Sequence, residues 1–341
     1  MIRLECDYAC GAHPAVLERL VTTNGESTPG YGVDEHCRNA AELIKKLCDS
    51  PDADVHFLVG GTQTNTTVIS AALRPYQGVL SADTGHIAVH ETGAIEATGH
   101  KVLTIPGKDG KLTARQIEDA MLAHLHDPTA EHTVQPGMVY ISNPTELGTI
   151  YSLEELTAIR EVTRRYGVLL FVDGARLGSA LGVRENDITL PDLARLCDAF
   201  YIGGTKMGAL FGEALVLTHS GLKADFRYMI KRHGGMLAKG RLLGVQFEAL
   251  LENGLYFEIG RHGVELAMEI REACKEKGYP MLVDSPTNQQ FPILPNEVLT
   301  RLEPVCTWSV QENIDEEHTA IRFCTSWAST REEIRQVIAL L

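Results

Sequence analysis

The sequence has no excess of basic residues: 31 lysines and arginines face 45 aspartates and glutamates, for a net charge of −14 at pH 7. Proteins that bind nucleic-acid backbones rely on clustered Lys and Arg, so we expect no nucleic acid among the partners. Long apolar runs are also absent, and the first residues lack the apolar core of a secretory signal. We therefore expect no membrane contact and predict a soluble, cytoplasmic protein.

Paired cysteine motifs are missing as well. The eight cysteines are dispersed and contain no Cys-x-x-Cys pair, which argues against a zinc site or a redox dithiol, so we predict no metal. Dispersed free thiols fit a reducing compartment. At 341 residues the chain exceeds the usual size of a single core, so we expect a large domain and a smaller one.

Strand and helix patterns alternate through the first two-thirds of the chain. Capping boxes predict helix starts at Thr113, Ser152 and Thr330. Short apolar runs predict strands near 55–59, 79–82, 102–105, 138–142 and 168–172. The last of these is apolar throughout, which indicates burial on both faces of the sheet. Repeated strand–helix units of this kind predict an α/β fold with a mostly parallel sheet covered by helices.

The rhythm changes after about residue 235, where one or two long helices between 240 and 274 and short strands near 281–283, 290–293 and 320–323 predict an α+β unit. We expect three parts on this basis. They are an N-terminal segment, 1–25, packing with the small domain, a large domain, 26–235, and a small C-terminal domain, 236–341.

The most informative residues are Asp173, at the end of the strand near 168–172, and Lys206, in a small-residue turn that follows a second apolar strand. Pyridoxal phosphate needs a lysine amine for a Schiff base and an acidic partner for its pyridine nitrogen. This pair therefore favours that cofactor, although an ordinary α/β protein with a strand-end Asp and a solvated Lys fits the same two residues.

Two further segments fall at the same predicted edge of the sheet. A strand leads into Gly60-Gly61-Thr62-Gln63, and a helix N-terminus with glycines suits a phosphate group. His86 follows another strand, where an aromatic ring could cover a flat pyridine. Ligands of such sheets bind at the carboxyl ends of the strands.

Together these motifs resemble the low-specificity L-threonine aldolases. The matching segments are Tyr31-Gly32-Val33-Asp34, residues 61–65 (GTQTN), His86, residues 172–177 (VDGARL), residues 205–208 (TKMG) and residues 321–323 (IRF). The family has the aspartate-aminotransferase-like fold, pyridoxal-phosphate fold type I. The resemblance thus implies a mostly parallel seven-stranded sheet and pyridoxal 5′-phosphate as the cofactor.

The resemblance also implies roles for individual residues toward the cofactor. Lys206 matches the covalent lysine, Asp173 the partner of the pyridine nitrogen, and His86 the histidine stacked on the ring, and these three are the expected catalytic residues. The expected cofactor-binding set adds Gly61, Thr62, Gln63 and Arg176.

Toward the substrate, Arg176 and Arg322 match two arginines that hold its carboxylate. Cys6 stands where the family often has a serine, and Glu146 stands where it often has a second histidine. Tyr31 resembles a tyrosine that reaches into the neighbouring subunit's site, which implies a homo-oligomer, either a dimer or a dimer of dimers such as a homotetramer.

The implied activity is cleavage of L-threonine, L-allo-threonine or a related β-hydroxy amino acid to glycine and an aldehyde. A β-eliminating lyase or an amino-acid racemase needs much the same residues, so both remain open at this point. A non-catalytic pyridoxal-phosphate-binding protein is the remaining alternative.

Overall fold

The computed structural model describes residues 1–341. Its strands are β1 (Ile2–Arg3), β2 (Asp54–Leu58), β3 (Gln77–Ala82), β4 (Val102–Ile105), β5 (Gln135–Ser142), β6 (Leu169–Asp173), β7 (Ala199–Gly203), β8 (Glu213–Leu217), β9 (Gln289–Gln290), β10 (Ile293–Pro295), β11 (Cys306–Thr307), β12 (Ser309–Asn313) and β13 (His318–Cys324). Short 3₁₀ turns lie at Glu96–Thr98 and Ala130–His132.

The helices alternate with these strands in the first part of the chain and then dominate after β8. They are α1 (Pro14–Thr22), α2 (Glu35–Leu47), α3 (Gly61–Ala72), α4 (His86–Val89), α5 (Ala114–Leu125), α6 (Leu153–Tyr166), α7 (Leu177–Gly182), α8 (Leu190–Leu196), α9 (Ser220–Lys223), α10 (Phe226–Arg232), α11 (Arg241–Leu251), α12 (Leu255–Glu276), α13 (Asn296–Leu302) and α14 (Arg331–Leu340). No helix of the structure combines the length and the apolar character needed to cross a membrane.

Seven strands form the main sheet in the order β2-β8-β7-β6-β5-β3-β4. Only β8 runs antiparallel to its neighbours, so the expected mostly parallel sheet is confirmed. The antiparallel strand has a consequence for the site. The start of β8 lies at the same edge as the ends of the other six strands, and Glu213 is in register with Leu58 and Gly203 there.

Helices cover both faces of this sheet. Along β6, Leu170 and Val172 join one buried cluster and Phe171 joins the cluster on the opposite face. This alternation follows from the two-residue period of a strand, and it explains why the whole segment is apolar.

The three predicted capping boxes at Thr113, Ser152 and Thr330 are all present, with the N3 side chain bonded back to the cap residue in each. Of the predicted C-terminal strands, only the one near residues 281–283 is missing. Met281 there makes an isolated bridge to Pro292.

The packing differs from the expected domain boundaries. A separate cluster unites Leu4 with residues from Leu266 onward, so β1 does pack with the small domain. In contrast Val16 of α1, Phe247 of α11 and Ile259 of α12 belong to the core of the large sheet. The cause is that α11 packs across α1 and α2, and the first half of α12 packs on α7. We therefore propose that the large domain includes α1, α11 and the start of α12, with the small domain beginning near residue 260 rather than at 236.

The α7–α12 contact depends on two glycines. A Cβ added at Gly260 would overlap the carbonyl oxygen of Gly178, because the two helix backbones touch there. Gly263, one turn further along α12, has room: its Cβ would lie 3.7 Å from the Asn288 Cβ, an ordinary contact.

We expect Gly260→Ala to lower the free energy of unfolding by about 1–3 kcal/mol, the usual cost of forcing extra volume into a packed contact. Gly263→Ala is the matched control, and it should be neutral or stabilising because alanine favours helix by up to ~1 kcal/mol. Urea unfolding followed by circular dichroism measures both variants. Equal midpoints would show that the two helices can separate without cost.

Candidate active site

Asp173 ends β6 and is almost fully buried. Its Oδ2 accepts hydrogen bonds from Tyr140 Oη (2.6 Å) and Asn65 Nδ2 (3.2 Å), and its Oδ1 accepts one from the Ala175 N–H (2.9 Å). Burial alone would raise the pKa of the Asp173 carboxyl, but the hydrogen bonds from Tyr140, Tyr201 and the Ala175 backbone outweigh it and lower that pKa. The group is thus a carboxylate, as a partner for a protonated ring nitrogen must be.

The turn between β2 and α3 leaves the N-terminus of α3 without a side-chain cap, since Gly60 occupies the cap position. The first N–H groups of a helix have no partner within it, and they attract anions together with the helix dipole. Gly61 and Thr62 line the cavity as predicted. The side chain of Gln63 does not, because it accepts from the Val59 N–H (3.2 Å) and donates to the His233 carbonyl (3.1 Å). Only its backbone is left for the role that the sequence suggested.

His86 begins α4 and lines the same cavity. Its Nδ1 lies 2.7 Å from Oε1 of Glu91, a carboxylate whose side chain is fully buried. A carboxylate can only accept, so Nδ1 carries the proton of this hydrogen bond, and Nε2 is the ring nitrogen left for another partner. Asn65 Nδ2 also donates to Glu91 Oε1 (2.8 Å), which links this pair to Asp173.

Lys206 follows β7 and lies in the cavity wall. Burial and the neighbouring Arg176 guanidinium lower the pKa of its amine, although Asp7, Asp173 and Glu213 oppose that shift. A lysine amine with a lowered pKa reaches its unprotonated, nucleophilic form more readily.

Arg176 lines the cavity, but one edge of its guanidinium is already paired. Its Nε and NH2 donate to the two oxygens of Asp7 (2.6 and 3.1 Å), and Asn288 Nδ2 donates to Asp7 as well (3.0 Å). Burial would raise the pKa of Asp7, but Arg176 and Lys206 hold it at about 2. This edge of Arg176 is therefore not free for a substrate carboxylate, and the N–H groups of NH1 and the second N–H of NH2 are the donors that remain.

Arg322 is different because it has no acidic partner. Its NH2 donates to the Glu5 carbonyl (3.2 Å) and Ser309 Oγ (3.4 Å), its NH1 donates to Gln289 Oε1 (3.3 Å), and its buried Nε has no partner. The positive charge of this guanidinium is thus left for a ligand. Cys6, the next residue after Glu5, is half-buried and outside the cavity wall, which Tyr8 lines instead.

Glu146 lies in the cavity wall beside His86. Its Oε1 accepts from the His86 N–H (2.8 Å) and from Ser142 Oγ (2.7 Å). Burial, with a contribution from the charge of Asp173, raises the pKa of the Glu146 carboxyl despite these hydrogen bonds. Its second oxygen takes part in no such bond, so Glu146 can contact a ligand as predicted.

The cavity that these groups line has a volume of about 310 Å³. Its donor set fits pyridoxal phosphate: the uncapped α3 N-terminus for the phosphate, the Asp173 carboxylate for the ring nitrogen, and the Lys206 amine for the aldehyde carbon. A Cβ at Gly61 would come within 3.1 Å of Tyr201 Oη, so a side chain there would have to displace the tyrosine hydroxyl by a few tenths of an ångström.

Tyr31 lies away from this cavity, in a second pocket with Arg227 and Met236. The ring is 48% exposed, and the Lys231 ammonium lies 5.0 Å from its centroid. Its φ of +64° is unusual for a bulky residue, and Arg227 holds it by donating to its carbonyl (3.0 Å). Within one subunit Tyr31 is not part of the site.

Two residues of the site, Tyr140 and Glu91, carried no recognisable sequence signal, and Asn65 lay in a matching segment but was given no role. The three belong to separate elements and become neighbours only when the sheet forms. Glu213 did carry one, since a charged residue opens the otherwise apolar β8.

Comparisons with known proteins agree with this geometry. Residues 4–262 match the family described as beta-eliminating lyase. The chain is 28% identical over 346 residues to a low specificity L-threonine aldolase of a Pseudomonas species, covering 98% of this chain and 95% of that protein.

Solved structures extend the likeness to the fold. A Leishmania major threonine aldolase superposes with a TM-score of 0.97 at 45% identity, covering 100% of this chain and 98% of that one. An aspartate aminotransferase variant of Thermus thermophilus has a TM-score of 0.72 at 14% identity, covering 100% and 90% of the two chains, which confirms the predicted fold type. With a family match over most of its length and a threonine aldolase at 45% identity, the chain belongs to the β-eliminating lyase and threonine aldolase family of enzymes.

Proposed function

We propose that this protein is a pyridoxal 5′-phosphate-dependent lyase that cleaves L-threonine, L-allo-threonine or a related β-hydroxy amino acid to glycine and an aldehyde. The observation that carries the proposal is the single cavity in which Lys206 lies with Asp173 and the uncapped N-terminus of α3. The names of the relatives at 28% and 45% identity support the same reaction.

Three groups would hold the cofactor. The N–H groups at the start of α3 would bind its phosphate, Lys206 would bond to its aldehyde carbon, and Asp173 would keep a proton on its ring nitrogen. When bound, the cofactor would supply a ring that accepts the electron pair released as the Cα–Cβ bond breaks. His86 would cover the ring, and the Glu91 contact keeps the imidazole in one orientation.

The substrate needs a cation for its carboxylate and a base for its β-hydroxyl proton. Arg322 supplies the cation, because no acidic side chain neutralises it, and Arg176 NH1 adds a second donor. His86 Nε2 is the base, since the buried Glu91 accepts the Nδ1 proton and leaves Nε2 as the acceptor. Glu146, whose raised pKa favours its protonated form, is the weaker alternative.

Product analysis tests the proposed reaction. Purified protein with pyridoxal phosphate should convert L-threonine and L-allo-threonine to glycine and acetaldehyde, and Lys206→Ala should form neither product. A 2-oxo acid and ammonia in place of glycine would instead identify a β-elimination. A changed configuration at Cα with no cleavage would identify a racemase.

Arg322→Lys should raise KM for the amino acid roughly ten- to 150-fold, the equivalent of about 1.5–3 kcal/mol for a charged hydrogen bond. Cofactor affinity should stay unchanged because Arg322 does not line the cofactor cavity. Arg115→Lys, on the exposed face of α5, is the matched control. Steady-state kinetics and a cofactor titration separate the two effects, and an unchanged KM would place Arg322 outside the substrate site.

We propose further that the protein acts in the cytoplasm as a dimer or a dimer of dimers, such as a homotetramer, in which Tyr31 completes the site of the partner subunit. Exposed Tyr31 and Tyr228 border a pocket with Met236 and the stems of Arg227 and Lys231, an apolar surface of the kind found at interfaces. The fixed backbone of Tyr31 supports a role outside its own subunit, and the eight free cysteines support a reducing compartment.

Mixing two inactive variants tests the shared site. Lys206→Ala and Tyr31→Ala subunits should form hybrid dimers with one complete site out of two. By two-fold symmetry and random exchange, an equimolar mixture should regain about a quarter of the wild-type activity. Native mass spectrometry verifies the exchange. Hybrids without activity, or a fully active Tyr31→Ala protein, would contradict the proposal.

A further inference from the structure

Glu213 is a buried acid that the proposed mechanism does not use. It opens β8, is 3% exposed, and lines the cavity together with Lys206 and the Gly60–Gly61 turn. Its register opposite Leu58 and Gly203 places it between the end of β2, which leads to the phosphate turn, and the end of β7, which leads to the lysine. The buried ion pairs Arg160–Asp198 and Arg176–Asp7 do not include it.

Hydrogen bonds link the protonation state of Glu213 to the direction in which the Thr205 hydroxyl donates its hydrogen. Thr205 Oγ1 lies 2.8 Å from Glu213 Oε1 and accepts the Gly212 N–H (3.1 Å), while the Gly204 N–H donates to Glu213 Oε2 (3.2 Å). An ionised Glu213 can only accept, so it takes the one hydroxyl proton of Thr205. A protonated Glu213 can instead donate to Thr205 Oγ1, and the Thr205 hydroxyl is then free to donate into the cavity that it lines.

We propose that Glu213 and Thr205 form a proton-dependent part of the phosphate subsite. When a phosphate monoester occupies the N-terminus of α3, Glu213 is protonated, taking up one proton from solvent if it was ionised beforehand, and Thr205 then donates a hydrogen bond from its hydroxyl to that phosphate. Apart from the O–H bond that forms on Glu213, no covalent bond changes. The inference rests on the proposed function, because the phosphate is that of the cofactor.

The charges around Glu213 favour this behaviour. Burial, together with Asp173 of β6, raises the pKa of Glu213 to about 8, whereas Thr205 and Lys206 oppose the rise. Tyr201 of β7 and Tyr256 of α12 also face it, and burial raises the pKa of both hydroxyls, so they stay neutral. Lys206 is the cation that opposes the rise of the Glu213 pKa, and a phosphate dianion beside an ionised Glu213 would be repelled.

The sign of the pH dependence follows. Below a pH of about 8 Glu213 is mostly protonated before the ligand binds. In that range the titration of Glu213 should make phosphate affinity change little with pH. Above that pH a proton must be taken up, so affinity should fall by up to about tenfold per pH unit for one linked proton.

The test uses the full-length apoprotein and 4′-deoxypyridoxine 5′-phosphate, a probe that lacks the aldehyde and cannot bond to Lys206. Its Kd is measured by calorimetry between pH 7 and 9.5, in buffers of different ionisation enthalpy that report proton uptake. The dephosphorylated probe is the reference ligand. Glu213→Gln, neutral at every pH, should lose one proton of phosphate-dependent uptake and keep its affinity at high pH.

Matched variants separate the alternatives. Glu146→Gln removes the other buried acid with a raised pKa, and the Kd of the phosphate probe should change with pH in this variant as it does in the wild type. Thr205→Val should weaken phosphate binding several-fold at pH 7, and Thr205→Ser should restore it. If Glu213→Gln fails to fold, the wild-type proton uptake and the Thr205 variants still decide the matter.

The inference is overturned if Kd changes with pH to the same extent in the wild type and in Glu213→Gln. It is also overturned if the wild-type protein takes up no more protons with the phosphate probe than with the dephosphorylated probe. If the protein binds the phosphate probe but Kd changes with pH equally in the wild type and in Glu213→Gln, the proposed function is retained and only this inference fails. A protein that binds neither the probe nor pyridoxal phosphate loses both.

Discussion

The ion pair between Arg176 and Asp7 is the interaction on which the site depends most. Arg176 lies just after β6 of the main sheet. Asp7 follows β1, which pairs with β11 of the small domain, and Asn288 of the small domain donates to the same carboxylate. The large sheet and the small domain thus meet at one buried ion pair. Removing one member would leave the other buried and unpaired, which is far more costly than losing a surface pair. The same contact fixes residues 5–8, and the Glu5 carbonyl in turn positions Arg322.

Local signals were enough to predict the sheet, its covered faces, the three capping boxes and the groups at strand ends, because each of these depends on residues close in sequence. Asp173 and Lys206 were found in this way. The hydrogen bond between Asn65 and Glu91 was not predicted, since it needs α3 and the segment after α4 to meet, and no spacing in the chain encodes that contact. Side-chain direction was equally hidden, and Gln63 turns toward Val59 and His233 instead of the cavity.

The domain boundary that we propose differs from the one predicted from the sequence for a related reason. Helical periodicity after residue 235 shows that α11 and α12 exist but not which surface they cover. Gly178 and Gly260 decide that question, because two helix backbones can touch only where neither carries a Cβ. The contact draws the start of α12 onto α7, the helix that follows Arg176. The helices that end the large domain therefore support the site directly.

Acidic groups are a physical problem for a site that is meant to receive a phosphate and a carboxylate. Asp173, Glu91, Glu146 and Glu213 all lie around it, in a chain of net charge −14. The structure meets the problem in three ways. Asp173 stays ionised where a cationic ring nitrogen would balance it, and Glu91 is held by His86 and Asn65. Glu146 and Glu213 are buried so that the neutral form is favoured. Arg322, which no acidic side chain neutralises, then offers an entering anion a positive charge although the whole chain is acidic.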